Sequence, residues 1–183
     1  MRIGLVSPAF VPLVFRDEPR ASDAAPVRGI VASTGFFRGD EVEMAVELLE
    51  ERLAGGLASG YHFLFADDPE TGEPMGYACF GPIPCTMGSF DLYWIAVHDS
   101  YQRRGLGRAL LAEVERRIAL GLTSAGDAET AVSGRRVYIE TSSLPKYEPT
   151  RAFYLRCGYV EEGRFEGFYR EGDDKIVYSK RLE

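Results

Sequence analysis

Gln102, Gly105 and Gly107, with Arg103, Arg104 and Arg108 among them, have the types and spacing of an anion site. An apolar segment, Asp91 to Val97, precedes them and reads as a strand. Ala109 to Ile118 follows and reads as a helix. The first N–H groups of a helix have no partner within it, and the helix dipole favours negative charge there. Glycine lets the backbone approach a ligand without a Cβ in the way. The three arginines add positive charge, although any one of them is equally at home on a solvated helix surface. The run Gln102–Ala109 therefore points to a phosphate-bearing ligand.

Two common phosphate motifs are excluded. A dinucleotide fingerprint needs a third glycine where Leu110 stands, and a P-loop needs Gly-Lys followed by Ser or Thr. What remains, Gln-x-x-Gly-x-Gly, resembles the pyrophosphate loop of the GNAT acetyltransferase superfamily, which holds coenzyme A. The resemblance continues downstream. Arg136 to Thr141 reads as a strand, and Tyr147 to Tyr159 as a helix with Pro149 in its first turn and Gly158 at its stop. Tyr154, four residues before Gly158, matches the family's tyrosine. Where the family often has Asn, seven residues earlier, this chain has Tyr147.

The resemblance implies an α/β fold: a mixed, mostly antiparallel sheet with helices on both faces, whose central strands splay apart to hold CoA. It implies acetyl-CoA as co-substrate, a primary amine as acceptor and direct transfer between them. A small-molecule amine is favoured; the alternatives are a protein or peptide amine as acceptor, or a CoA-binding sensor without turnover. Tyr154 would protonate the departing thiolate; otherwise it is a core aromatic. The backbone at Ile95 and Val97 would pair with the pantetheine arm, and an N–H near Val97 would steady the oxyanion. Gln102, Arg103, Arg104, Gly105, Gly107, Arg108 and Ala109 would hold the pyrophosphate. Asp91 matches an acidic position that serves some members as base, and is otherwise a polar strand start. Regular alternation puts Asp91, Tyr93, Ile95 and Val97 on one face. Glu140 lies in an otherwise apolar strand, so it is either a second base or one half of an ion pair, for instance with Arg151. Phe36, Phe37 and Tyr147 are candidate acceptor-site residues, followed by Tyr61, Phe168 and Tyr169.

The elements that must position these residues read as one series. Val11 to Arg16 is a candidate first strand and Ala21 to Ser33 a helix capped by Ser22 or Asp23. A second helix, capped by Asp40, covers Glu41 to Leu53 with an apolar stripe at helical spacing. Tyr61–Ala66 and Met75–Phe80 form a hairpin, Thr123–Gly134 a loop, and Glu161–Phe165 with Ile176–Leu182 a closing antiparallel pair. Residues 1–183 read as a single domain, with the role of residues 1–20 open.

The composition narrows the class. With 183 residues and 45% apolar content the chain can build a full core. A net charge of −7 argues against a nucleic-acid partner. No run is long and apolar enough for a membrane span or a signal peptide, so a cytoplasmic protein is expected. Cys79, Cys85 and Cys157 lack metal-ligand spacing, and His62 and His98 are far apart. No metal and no disulfide are expected. Oligomeric state is left open.

Overall fold

The computed structural model describes residues 13–121 and 133–182; most of the expected 123–134 loop lies outside them. The elements are β1 (Val14–Arg16), α1 (Ala24–Ser33), α2 (Gly39–Gly55), β2 (His62–Asp67), β3 (Pro74–Pro82), β4 (Ser89–Val97), α3 (Leu106–Leu120), β5 (Arg136–Ser142), α4 (Glu148–Arg156), β6 (Val160–Arg170) and β7 (Asp173–Arg181). Seven strands form one sheet in the order β1-β2-β3-β4-β5-β7-β6. Every neighbouring pair is antiparallel except β4 with β5.

Strand alternation sends side chains to two helical layers. Leu64, Ala78, Phe80, Leu92 and Ile139 face α3, whose Leu110, Leu111, Val114 and Ile118 recur at helical spacing. Phe63, Phe65, Tyr77, Cys79 and Ala96 face the opposite way, against α1 and α2. Arg16 fastens the entry of the chain. Its guanidinium donates to both Asp23 (2.8 and 3.0 Å) and Asp67 (2.7 and 3.2 Å), tying β1 to the start of α1 and to β2.

Local expectations change in three places. Asp23 stands at the N-cap of α1, yet its carboxylate accepts from Arg16 and from the Arg20 N–H rather than capping the helix. Arg38, not Asp40, is the N-cap of α2: Glu41 accepts from the Arg38 N–H, and Asp40 clamps the Arg38 guanidinium. Strand β6 runs on to Arg170, well past Phe165, because residues 166–169 bulge out of the ladder with β7. Cys79, Cys85 and Cys157 are all free. Among the described residues no helix is long and apolar enough to cross a membrane.

His62 on β2 stacks against Phe80 at 5.8 Å, and burial, with the nearby Arg52 charge second, pushes its pKa down to about 4. The folded state therefore holds His62 neutral while the unfolded chain takes up a proton near pH 6.5. Stability should fall as pH drops from about 6.5 to about 4, by up to roughly 3 kcal/mol from this group. His62→Gln should flatten that part of the profile, read as denaturation midpoints across the window. An unchanged slope in the variant would place the acid sensitivity elsewhere.

Candidate active site

Strands β4 and β5 pair only where Ser89–Asp91 lies beside Arg136–Tyr138. Beyond that they part. β4 stays paired to β3 as far as Val97, and β5 stays paired to β7 as far as Ser142. The gap opens a cavity of about 900 Å³ that passes from the α3–α4 side of the sheet to the α1–α2 side.

One mouth is built by the loop between β4 and α3. Gly105 caps α3 with φ +85°, a left-handed conformation that favours glycine, and Arg103 also lies there at φ +60°. The Gln102 amide donates to the Val97 carbonyl at 3.0 Å, folding the loop back onto the end of β4. Within a strand, N–H and C=O of one residue point the same way, so the Val97 N–H also turns toward the gap. Leu106, Gly107 and Arg108 are the first helical residues, and their N–H groups have no intrahelical acceptor. A Cβ built on Gly107 would meet Val97 and Phe153 only at 3.7–3.9 Å. The protein's own packing does not demand glycine there; the bare backbone serves whatever enters. Arg103, Arg108 and Arg156 line this mouth and form no ion pair among the described residues.

Two residues expected here stand apart from the cavity wall. Arg104 stacks its guanidinium over the Tyr101 ring at 5.6 Å. Ala109 donates its N–H to the Gly105 carbonyl at 3.0 Å, the first closed turn of α3, so that group is not free for a ligand.

Tyr154 and Phe153 form the wall between the two mouths. Tyr154 packs against Tyr159 and Tyr178, and burial raises its hydroxyl pKa well above the usual tyrosine value. It is therefore a protonated donor at neutral pH.

The second mouth lies under the α1–α2 loop. The Lys146 ammonium (2.7 Å) and the Tyr147 hydroxyl (3.4 Å) both donate to the Phe36 carbonyl, holding this loop against the entry of α4. The Phe36 and Tyr147 rings meet at 5.7 Å, and Phe37 meets Trp94 at 4.7 Å. Tyr93, Tyr169, Arg38, Glu41, Arg170 and Asp173 complete the rim. Tyr61 and Phe168 do not line it; Tyr61 instead packs edge-on against Tyr93.

The two candidate bases separate. Cys79 pairs with Trp94 but Phe80 with Leu92, so Tyr93 is an extra residue in β4. This bulge breaks the alternation. Ile95 and Val97 face the α3 layer, whereas Asp91 shares a face with Gly81, on the α1–α2 side. Asp91 is half-buried and does not line the cavity; burial first, then Glu140, pushes its pKa up. Glu140 does line it. Its partner is Lys175 at 3.1 Å, not Arg151, which donates to the Ser142 and Leu144 carbonyls.

Sequence reading missed Arg156, Phe153, Lys146 and Asp173. Only Arg156 and Phe153, in the helix beside Tyr154, were within reach of its periodicity. No group of three or more His, Cys, Asp or Glu suited to a metal occurs among the described residues.

This geometry agrees with comparisons to known proteins. The family model for the acetyltransferase (GNAT) domain matches residues 59–161. No curated protein sequence matches the chain. A GNAT-family protein from Desulfovibrio desulfuricans is 46% identical over 94% of this chain and all of its own, with a TM-score of 0.84. An aminoglycoside 6'-N-acetyltransferase complexed with coenzyme A superposes over 93% of this chain and 97% of its own at a TM-score of 0.68 and 15% identity. The ribosomal-protein-S18-alanine N-acetyltransferase of Escherichia coli covers 94% and 95% at 0.65 and 18%. The last two establish likeness of fold alone. With more than half its length matched by the family model and a close structural relative along nearly all of it, the chain belongs to the GNAT family of acetyltransferases.

Proposed function

We propose that this protein transfers the acetyl group of acetyl-CoA to the primary amine of a small molecule by direct attack. The observation that carries the reading is the cavity through the parted strands. It has arginines without an ion pair among the described residues and free helix N–H groups at one mouth, a carboxylate at the other and a buried tyrosine between. The first mouth fits a pyrophosphate: N–H groups without acceptors and three guanidinium groups without carboxylates meet at a bare glycine backbone. Bound there, acetyl-CoA supplies an acetyl group activated as a thioester.

The chain's own groups then act in sequence. Glu140, on the cavity wall, takes the proton that the acceptor ammonium must lose before it can attack. Asp91 lies behind it and keeps the local field negative. Nitrogen bonds to the acetyl carbon, and the Val97 N–H donates to the oxygen on which charge develops. The carbon–sulfur bond breaks and the Tyr154 hydroxyl donates its proton to the departing sulfur, while the nitrogen, now an amide, releases its second proton to solvent, from which the tyrosine is reprotonated. Neither a covalent enzyme intermediate nor a cysteine is used.

Three experiments test these assignments. Gly107→Glu puts a carboxylate at the first mouth, and calorimetry should find CoA affinity reduced at least about 100-fold, well beyond the ~1 kcal/mol of one exposed charge pair. Unchanged affinity would remove the loop from the site. Tyr154→Phe keeps the ring and should lower the single-turnover rate on the order of 10- to 1000-fold with acetyl-CoA affinity retained. A wild-type rate would make Tyr154 a packing residue. Glu140→Gln should lower kcat/KM at neutral pH more than Asp91→Asn does, with part of the loss recovered as pH rises and the free amine accumulates. The reverse ranking would move the base to Asp91.

A further inference from the structure

The second mouth carries information about the acceptor, on the premise that the transfer proposed above occurs there. Its charges are nearly balanced within the protein. Arg38 is paired with Asp40 at 3.1 Å and Glu41 at 3.7 Å, Lys175 with Glu140 at 3.1 Å, and Arg170 with Asp173 at 3.9 Å. Lys146 is held by the Phe36 carbonyl and lies 5.0 Å from the centre of the Tyr147 ring. Four cations thus face four carboxylates. Asp91, close enough for Glu140 to act on its charge, is a fifth carboxylate, with no ion pair among the described residues. The surplus is one negative charge.

The rest of this mouth is ring surface. Phe36 and Tyr147 cover one side, Tyr93 and Trp94 the sheet side, and Tyr169 closes the far end. Aromatic faces accept apolar bodies and attract a cation at their negative face. A polycation would have to open several existing ion pairs to find its counter-charges. A carboxylate on the acceptor would meet only Lys146 without an ion partner, and would enter a mouth already negative by one charge.

We infer that the acceptor is a monoamine carried on a ring-bearing apolar body, of the arylalkylamine class, seated between Phe36 and Tyr147 with its single ammonium toward Glu140 and Asp91. A polyamine and an amino acid each mismatch this mouth in charge, and an amino sugar mismatches it in polarity, because its hydroxyls would meet ring surface.

Initial rates of CoA release from acetyl-CoA, with the full-length protein, compare four acceptors: 2-phenylethylamine, butylamine, spermidine and phenylalanine. The expected kcat/KM for 2-phenylethylamine exceeds that of each of the others by at least about tenfold, the discrimination typical of an apolar pocket. In Phe36→Ala the advantage over butylamine should shrink to within about threefold, because 2-phenylethylamine loses more than butylamine does. A higher kcat/KM for spermidine or phenylalanine, or equal losses for both monoamines in the variant, would overturn the inference and leave the acetyl transfer standing. No turnover with any of the four, with CoA binding intact by calorimetry, would overturn both.

Discussion

The parting of β4 from β5 is the constraint around which the molecule is organised. A sheet that opens in its middle leaves two rows of backbone donors and acceptors without strand partners. Each such group costs roughly 1–3 kcal/mol if buried dry. The gap is tolerable because each half of the sheet is complete without it. β4 is laddered to β3 along its whole length, and β5 to β7 along all of its own. The opened backbone faces a wide cavity rather than a packed interior. The Gln102 amide supplies one of the missing donors at the Val97 carbonyl. A ligand arm laid along these edges would take the place of the absent strand, as an added peptide does at an exposed sheet edge.

The same opening separates two electrostatic environments that a continuous sheet would merge. On the α3–α4 side, Arg103, Arg108 and Arg156 keep their charge uncompensated beside the start of α3. Side chains on the α1–α2 side neutralise one another, and the Lys146 and Tyr147 contacts to the Phe36 carbonyl hold the overhanging loop in place. In the reaction proposed above, the anionic and amine-bearing halves would thus enter from opposite faces. Tyr154 lies where they meet.

Local chemistry was legible in the sequence, and pairwise chemistry was not. The β4–α3 loop is shaped by groups a few residues apart, Gly105 through its left-handed φ and Gln102 through its side-chain amide, so its spacing was legible as a candidate anion loop. The helices, though not their exact ends, and the hairpin β2–β3 followed from periodicity and turn residues in the same way. Asp91 shows the limit. Its predicted face was wrong because a single inserted residue, Tyr93, inverts the alternation, and nothing in the composition of β4 marks that bulge. Glu140 was correctly suspected of needing a partner. The partner is Lys175 on β7, set by strand register across 35 residues of chain, rather than the arginine nearer in sequence. The α2 cap failed for a subtler reason. Asp40 has the right residue type, but it already lies inside the helix: the Val42 N–H it would cap goes to the Arg38 carbonyl, and the Arg38 guanidinium claims the Asp40 carboxylate instead.

Tyr154 raises a question of acid strength that burial itself answers. Its hydroxyl is a weaker acid than free tyrosine, because burial opposes the phenolate. An ordinary thiolate, with its conjugate acid near pKa 8.5, could not take the proton outright from such a donor. The thiolate proposed to form beside it, however, would form in the same desolvated wall, where burial strengthens a base as much as it weakens an acid. Cys157, on the same cavity, shows the effect on a thiol: burial pushes its pKa up as well. The two groups thus shift in the same direction, which keeps their difference smaller than the Tyr154 shift alone would make it. While the thioester is intact, the high pKa keeps Tyr154 protonated and unreactive. Once negative charge gathered on sulfur in the proposed transfer, the same dry surroundings would make its hydrogen bond stronger than in water. Burial of this one hydroxyl would therefore serve the ground state and the departing group alike.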